Sequence, residues 1–249
     1  MHLVFPESRI VHLDEVTSTN PVLQELSTRE KLPEGSIVIT DRQTQGRGQG
    51  NNYWESEPFK NLTFSILLYP RNMKASDQFL LSKVISLSVH DFISQHVDDV
   101  WVKWPNDVYV GNKKITGILI ENFIESGYIN KSIAGIGINI NQEVFHSDAS
   151  NPVSLIQLTG HSLDLDTCLS DLMDCIRTRY RMLTDGWTSI LNSDYLRYLY
   201  RFGQLSRFSV DGEIFEAYIT GVNKYGMLEM ITMKNEHKLF GFKEVNFED

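Results

Sequence analysis

The chain has 249 residues, of which 41% are hydrophobic and 11% aromatic, so it can bury a full core in one large domain, alone or with a small appendage. A formal net charge of −9 argues against a general nucleic-acid-binding protein, because such proteins carry a basic footprint. The N-terminal sequence lacks the basic start and apolar run of a signal peptide, and no segment approaches the apolar length of a membrane span. We therefore expect a cytoplasmic protein.

Strands and helices are mixed from the beginning of the chain. The stretch RIVHLDEV predicts a strand, and Asn20 and Pro21 predict the N-cap and the first position of a helix. Two apolar strands, SIVIT and NLTFSILLY, flank a glycine-rich loop. Apolar residues at helical spacing over 77–96 predict an amphipathic helix that packs on the sheet.

The second half continues this mixture of strands and helices and ends in a series of short predicted strands. VWVKW and DVYV lead through Gly111-Asn112, a hairpin signal, into KITGILIEN, and KSIAGIGININ predicts a further strand. A helical region with one interruption is predicted over 166–200. From there on, short alternating runs separated by turn residues predict a small β-barrel. We expect the two domains to span 1–202 and 203–249.

Cysteine and histidine usage predicts neither a disulfide nor a histidine-based metal site. Cys168 and Cys175 lie two turns apart on a predicted helix, which makes them poor disulfide partners and predicts buried, reduced thiols. The seven histidines show no HxH or HxxxH pairing.

The glycine-rich loop GRGQGNNYW is the first candidate for an anion-binding element. It has one fixed cation, Arg47, between glycines that let backbone N–H groups approach an anion closely. It lacks the GK followed by Ser or Thr of a nucleotide P-loop, and it does not open a helix as the dinucleotide fingerprint does. Taken alone, it fits a flexible surface turn equally well.

Two further segments carry candidate site residues. In KWPNDVYVGNKKITG, Asn106 and Asp107 follow a strand end and a two-residue turn returns Lys113 and Lys114 toward them. Hairpin lysines are most often solvated charges, but Trp-Pro-Asn-Asp at a strand exit is rare. In GIGININ, glycines alternate with isoleucines inside a strand, which weakens the strand unless a neighbour needs close backbone approach. Close packing of a helix on the sheet explains these glycines equally well.

In this order, STN, QTQGRGQGNNYW, KWPNDVYVGNKKITGI and GIGININ resemble the biotin protein ligase family over essentially the whole chain. The resemblance implies an α+β fold, with a catalytic domain related to class II aminoacyl-tRNA synthetases and a small SH3-like C-terminal barrel. It also implies an enzyme that forms biotinyl-5′-adenylate from biotin and ATP and then transfers biotin to a lysine of a biotin carboxyl carrier domain. Mg²⁺ is inferred from the ATP chemistry, since no metal ligand is visible.

The same resemblance assigns roles to individual residues. Four polar residues are expected to line the ring end of biotin: Ser18, Thr19, Asn20 and Gln43. Three are expected to surround the adenine and ribose: Trp54, Asn106 and Asn139. Gly46 and Arg47 would wrap the tail of biotin. The remaining matched positions of the binding site are Gly48, Gln49, Gly117 and Gly137.

Four side chains are expected to act on the reacting groups: Lys114, Arg47, Asp107 and Lys103. Lys114 would bridge the biotin carboxylate and the α-phosphate. Asp107 could equally cap its own turn. The chemistry joins two anions, so it needs preorganised cations and N–H donors more than acid–base groups. Because the adenylate hydrolyses readily, we expect the loop to close over it and exclude water.

The loop departs from the family pattern at three positions. Many members carry extra arginines there, as in GRGRRGR-W, whereas this chain has Gln49, Gly50 and Asn52. Anion binding would then rest on Arg47, Lys114 and backbone amides.

Alternatives from other classes stay open. A lipoate or octanoyl ligase shares the fold and the adenylate logic and differs mainly at the ring end, where the GRG and KWPND motifs favour biotin. A non-enzymatic biotin-binding module would have no reason to retain Lys114.

The residues before LDEVTSTN are too few for a winged-helix domain, so we expect no contact with DNA, and none with membrane. The sequence leaves open whether the protein is a monomer or a homodimer.

Overall fold

The computed structural model describes residues 5–48, 50, 52–147 and 151–248. The first part of the chain forms these elements: β1 (Ile10–Val16), α1 (Thr19–Arg29), β2 (Ile37–Gln43), β3 (Leu62–Leu68), a 3-10 helix (Ala75–Asp77), α2 (Phe79–Ile93), β4 (Val100–Lys103), β5 (Asp107–Val110), β6 (Lys113–Lys114), β7 (Thr116–Glu125) and β8 (Tyr128–Ile138). The second part forms these: α3 (Leu155–Thr159), α4 (Leu165–Thr184), α5 (Thr188–Arg197), β9 (Leu205–Val210), β10 (Glu213–Val222), β11 (Leu228–Thr232), β12 (His237–Phe240) and β13 (Asn246–Phe247).

A mixed five-stranded sheet carries the larger part of the fold. Its strand order is β1-β2-β3-β8-β7, with β1 parallel to β2 and the other neighbours antiparallel. All seven residues of the central strand β3 are buried, as expected for a strand covered on both faces. The predicted mixed sheet with flanking helices is therefore confirmed.

The two faces of this sheet differ because side chains alternate along each strand. On one face, Phe64 and Ile66 of β3 join the main apolar core with α2 and α4. On the other face, Leu67 packs with Leu23 of α1 and Ile133 of β8 in a smaller apolar cluster. The second face is thus only partly apolar, and its remaining positions are open to other uses.

The start of α1 differs from the prediction. The N-cap is Ser18 rather than Asn20, and Ser18 makes no side-chain capping bond. Asn20 lies inside the first turn because the sheet recruits its amide: Nδ2 donates to the Glu121 carboxylate at 2.7 Å. Pro21 then occupies the third helical position, where a backbone N–H has no intrahelical acceptor in any case.

The other helices follow the sequence. The predicted helix over 77–96 is confirmed as α2, and the interrupted helical region over 166–200 is confirmed as α4 and α5. Cys168 is buried and Cys175 half-buried, and both are free thiols. Burial raises the pKa of each thiol to about 11, helped by nearby carboxylates such as Asp171.

The C-terminal strands form a separate sheet in the order β12-β11-β10-β9-β13. Within the described residues, no pairing of β12 with β13 closes this sheet into a barrel. The sheet packs directly on the larger part, since Trp104 Nε1 donates to the carbonyl of Gly226 at 2.8 Å. The boundary between 202 and 203 stays a prediction. No helix in the described part of the chain is both long and apolar enough to cross a membrane.

Candidate active site

A pocket opens on the face of the sheet that carries α1. Its floor is set by strand register, because Thr63 of β3 lies beside Gly137 of β8, which lies beside Gly117 of β7. In the next row of the same face, Ser65 lies beside Gly135. The expected site residues that line this pocket are Ser18, Thr19, Asn20, Gln43, Arg47, Gly48, Trp54, Asn106, Asp107, Lys114, Gly117 and Gly137.

One end of the pocket is a buried network of polar side chains. Gln43 Oε1 accepts from the backbone N–H of Thr19 at 3.0 Å. Ser65 Oγ lies 2.7 Å from Thr19 Oγ1 and 2.5 Å from Asn20 Oδ1. All four residues are buried, so their positions are fixed by each other rather than by solvent. This end suits a compact ligand group that has both N–H donors and a carbonyl acceptor.

Glu121 connects the polar end to the glycine loop. One of its carboxylate oxygens accepts from Asn20, and the other lies 3.9 Å from Arg47 Nη2. The Arg47 side chain is 58% exposed and the Glu121 side chain 36% exposed. An ion pair this long and this exposed contributes little stability, so Arg47 is free to turn toward an anionic ligand.

The glycines of the floor make room for the indole of Trp54. A Cβ on Gly137 would lie 2.3 Å from Trp54 Cε2, and a Cβ on Gly117 would lie 2.8 Å from Trp54 Cε3. A Cβ on Gly135 would lie 2.5 Å from Asn20 Oδ1. Close approach of the Trp54 indole therefore explains Gly117 and Gly137, whereas Gly135 makes room for Asn20 of helix α1, so close packing of a helix on the sheet accounts for that glycine. Trp54 Nε1 is buried without a hydrogen-bond partner in the described structure, which leaves a donor for a ligand.

The glycine loop is a narrow hairpin rather than an open turn. The N–H of Gly48 donates to the carbonyl of Asn52 at 2.7 Å, and the N–H of Trp54 donates to the carbonyl of Gly46 at 3.0 Å. Gly46 does not line the pocket itself, and a Cβ there would lie 2.2 Å from the Trp54 carbonyl oxygen. Gln49, which was expected to contact ligand, lies outside the described residues.

The loop is anchored where it leaves the pocket. The Glu55 carboxylate accepts from the backbone N–H groups of His146 and Ser147 at 2.7–3.1 Å. Partial desolvation would raise the pKa of Glu55, but hydrogen bonds from Ser147 and His146 outweigh it and hold this pKa below its usual value. The base of the loop is thus fixed, while Gly48 and Asn52 farther along it line the pocket.

Lys114 and Asp107 form an ion pair on the opposite wall. Tyr109 of β5 pairs with Lys114 of β6 across the predicted Gly111-Asn112 hairpin, which turns the lysine back beside the start of β5. Lys114 Nζ lies 2.5 Å from Asp107 Oδ2, and about a quarter of each side chain is exposed. The pair places a fixed ammonium at the wall, within reach of a bound anion.

The Trp-Pro-Asn-Asp turn next to this ion pair is fixed by a contact with the core. The Trp104–Pro105 peptide bond is cis, and the carbonyl of Pro105 accepts from the hydroxyl of fully buried Tyr195 at 2.7 Å. Asn106 is buried and lines the pocket. A turn fixed in this way holds Asn106 and Asp107 in place without help from ligand.

Two expected residues lie away from the pocket. Lys103 Nζ lies over the rings of Tyr109 and Phe247, 4.7 and 5.1 Å from their centroids. Asn139 lies under the pocket wall, where its Nδ2 donates to the carbonyl of Val153 at 3.1 Å. Its buried Oδ1 has no partner among the described residues.

Sequence reasoning raised Gly135 among the alternating glycines without assigning it to the site, and it missed several other lining residues: Asn52, Tyr53, Thr63, Phe64, Pro105, Ile118, Leu119, Ile136 and Phe242. It also missed Ser65 and Glu121, which complete the polar network. The acidic residue inside the apolar strand KITGILIEN was a usable signal for Glu121. Phe242 comes from the C-terminal sheet, and no local pattern connects it with the pocket.

The described residues contain no cluster of three or more His, Cys, Asp and Glu side chains that could hold a metal ion. The carboxylates nearest the pocket are already engaged, Asp107 with Lys114 and Glu121 with Asn20. The residues that the structure describes therefore do not form a protein metal site.

The fold and the pocket together define an α+β domain that can hold a ligand with a polar head at one end and an anionic group beside Lys114 and Arg47 at the other. Residues 13–139 match the biotin/lipoate A/B protein ligase family, and the chain belongs to this family.

Two known relatives match about three quarters of the chain. A bifunctional ligase/repressor BirA of Bacillus spizizenii is 31% identical over 186 residues, which cover 73% of this chain and 57% of that protein. The chain thus matches little more than half the length of this relative. A biotin–[acetyl-CoA-carboxylase] ligase of Paracoccus denitrificans is 28% identical over 189 residues, which cover 73% of this chain and 77% of that protein.

A biotin protein ligase structure from Aquifex aeolicus, in complex with biotin and ATP, is similar in fold. Its TM-score is 0.79 at 26% sequence identity, and the match covers 96% of this chain and 98% of that chain. This match includes the C-terminal sheet as well as the pocket domain.

Proposed function

We propose that this protein is an ATP-dependent ligase that forms biotinyl-5′-adenylate from biotin and ATP and then transfers biotin to a lysine of a biotin carboxyl carrier domain. The observation that carries the proposal is that one pocket contains both a buried polar end and the Lys114–Asp107 pair. The relatives named above as biotin ligases, and the Aquifex structure with biotin and ATP, support it.

The polar end suits the ureido ring of biotin. A ureido group has two N–H donors and one carbonyl acceptor, and Thr19, Gln43 and Ser65 present hydroxyl and amide groups in fixed positions. A site built to hydrogen-bond such a group discriminates strongly against an analogue that lacks it. The dithiolane ring of lipoate has neither donor nor acceptor of this kind, so the alternative lipoate or octanoyl ligase is disfavoured.

In the first reaction a carboxylate oxygen of biotin attacks the α-phosphorus of ATP. The new O–P bond replaces the bond between the α-phosphorus and the bridging oxygen, and pyrophosphate leaves with that electron pair. Two anions approach and charge builds on the phosphoryl oxygens, so a positioned ammonium stabilises the transition state more than the separated substrates. Lys114 provides that ammonium, with Asp107 fixing its direction, and Arg47 faces it from the loop.

In the second reaction the neutral amine of the carrier lysine attacks the carbonyl of the adenylate. The new C–N bond replaces the bond between the acyl carbon and the phosphate oxygen, AMP leaves with that electron pair, and the nitrogen releases one proton to solvent. Until the carrier arrives, the mixed anhydride must be kept from water. The hairpin of the glycine loop, held at its base by Glu55, forms the adjacent wall of the pocket. Exclusion of water by such a loop is an ordinary means of protecting a reactive intermediate.

Trp54 and Asn106 are proposed to hold the nucleoside side. The indole lies on the glycine floor and has a free N–H donor, so an adenine can stack on it or accept from it. We assign no step to Mg²⁺, which would enter with the triphosphate. Asn139 and Lys103 support the wall from outside the pocket and are not proposed as ligand contacts.

For partners, we propose a biotin carboxyl carrier domain as acceptor and no DNA contact by this chain. The −9 charge supports the second point, since affinity for duplex DNA depends mainly on neutralising phosphates. A cytoplasmic location, the absence of membrane contact and the choice between monomer and homodimer stay expectations.

The test is incubation of the purified protein with ATP, an apo carrier domain and either biotin or lipoate, followed by intact-mass measurement of the carrier. We expect the mass of one biotinyl group on the carrier, release of pyrophosphate, and no lipoyl product. Lipoyl transfer would replace the proposal with its alternative. Biotin binding without pyrophosphate release would leave only a binding module.

A further inference from the structure

The charged side chains at the pocket cancel one another. Two cations, Arg47 and Lys114, are matched by two carboxylates, Glu121 and Asp107, which lie 3.9 and 2.5 Å away. The substrate proposed above, ATP, is a polyanion. A formally neutral site gives little electrostatic attraction for it, so a further cation at the pocket mouth is expected on physical grounds.

The C-terminal sheet brings a loop to this mouth. The loop joins β12 to β13 and spans residues 241–245. Its Phe242 lines the pocket, with its ring centroid 6.2 Å from that of Trp104. Val245 is buried, and the Glu244 carboxylate accepts from the N–H of Gly241 at 2.5 Å. The loop is therefore held in shape by its own contacts and reaches the pocket as a fixed element.

Lys243 lies at the tip of this loop, directly over the glycine loop. Its Nζ would be 2.4 Å from a Cβ on Gly50, and its Cε would be 3.2 Å away. The ammonium thus occupies the space that a side chain at position 50 would fill. Lys243 also adopts φ +66°, an uncommon conformation for a residue with a side chain, and one that marks a constrained position.

The ammonium of Lys243 is exposed, and no carboxylate in the described part of the chain neutralises it. Among the described residues, no carboxylate oxygen lies within 4.0 Å of its Nζ, and the neighbouring Glu244 is engaged with Gly241. The Phe242 ring centroid is 5.9 Å away, so that contact is weak. No structural role in the free protein accounts for bringing this charge onto the glycine loop.

We propose that Lys243 is a phosphate-binding residue that holds the β- and γ-phosphates of ATP over the glycine loop. The inference rests on the proposed ligase function and extends its site to the C-terminal sheet. The loop has Gln49, Gly50 and Asn52 where extra arginines were expected from the family pattern, and Arg47 is the one cation in GRGQGNNYW. Lys243 brings the missing charge from a different part of the chain, and the absence of a side chain at Gly50 leaves room for it.

The test is Lys243→Ala, assayed by biotin-dependent exchange of pyrophosphate into ATP. An ammonium–phosphate hydrogen bond at a partly exposed site predicts a rise of about tenfold in KM for ATP. KM for biotin in the same assay, and KM for the carrier measured by biotin transfer, should stay unchanged. The difference between variant and parent should shrink at high salt, because exposed charge interactions are screened. Lys243→Arg should keep a KM for ATP close to that of the parent.

Two further variants separate charge from structure. Lys234→Ala removes an exposed lysine from the β11–β12 turn, at the other end of β12, and should leave KM for ATP unchanged. Asn52→Arg in the Lys243→Ala background puts a cation on the loop at a residue that lines the pocket, and should recover most of the lost ATP affinity. Melting temperatures should match the parent, since the Lys243 side chain is exposed.

The inference would be overturned if KM for ATP is unchanged in Lys243→Ala, or if it rises equally in Lys234→Ala. It would also be overturned if the defect of Lys243→Ala is confined to biotin transfer to the carrier. If the parent protein makes no biotinyl-adenylate, the proposed function fails, and ATP binding alone by calorimetry decides the role of Lys243. A Kd for ATP that Lys243→Ala leaves unchanged, or no ATP binding by the parent, would then overturn it.

Discussion

Replacing Lys114 by alanine should separate chemistry from folding. If its ammonium stabilises charge that grows during adenylation, Lys114→Ala should slow adenylate formation by about 100- to 1,000-fold, or about 2.7–4 kcal/mol of barrier. The fold should hardly change, because the local backbone bonds do not involve the side chain: Lys114 N–H donates to the carbonyl of Asn151, and Lys114 O accepts from Val153. Loss of the partly exposed pair with Asp107 costs about 0–1 kcal/mol of unfolding free energy.

The assay is single-turnover formation of biotinyl-adenylate, with thermal unfolding measured on the same samples. A stability loss of this size lowers Tm by no more than about 4 °C in a chain of this length. Lys113→Ala is the matched control, since Lys113 is the exposed neighbour on the same hairpin and carries the same charge. It should adenylate at the parent rate. An adenylation rate within a few-fold of the parent in a folded Lys114→Ala protein, or equal loss in both variants, would refute the reasoning.

Three further predictions follow from packing, titration and the loop. Gly137→Ala should displace the Trp54 indole, because the new Cβ would lie 2.3 Å from Trp54 Cε2. We expect denaturant titration to show a free energy of unfolding lower by about 1–3 kcal/mol, together with a changed tryptophan emission. An unchanged emission would contradict this prediction. Both cysteine thiols have their pKa raised from 9.0 to about 11. Their contribution to the free energy of unfolding is therefore present below pH 9 and is lost as pH rises toward 11. Alkylation of the thiols at pH 8 should be slow until the protein unfolds, and rapid labelling of the native protein would oppose this. Within residues 46–53, the amide of Gly48 donates to Asn52 and should exchange slowly even in the free protein. The rest of the segment should gain protection with biotin and ATP, and high protection of the whole segment without ligand would rule out closure.

The strands, the long helices and the hairpin are local properties, and the sequence was sufficient for them. The alternation of apolar residues in β8, the helical spacing in α2 and the Gly111-Asn112 turn each act over a few neighbouring residues, so their signals survive without tertiary information. The predicted N-cap of α1 was wrong because contacts distant in the chain decide this position. Asn20 suits a cap, but Glu121 and Ser65, distant in the chain, bind its amide instead.

For the site, the sequence by itself identified the motifs that meet in the pocket, because each carries an unusual local chemistry: glycines around Arg47, and Lys114 returned by a turn toward Asp107. Only the tertiary structure decided which of these side chains face one another. Register across three strands aligned the glycine floor beneath Trp54 and turned Ser65 toward Thr19, while leaving Lys103 and Asn139 outside the pocket. It also brought Phe242 to the pocket and Lys243 against Gly50 of the glycine loop from the far end of the chain, since packing between sheets depends on shape and burial over long sequence separations that no local pattern records.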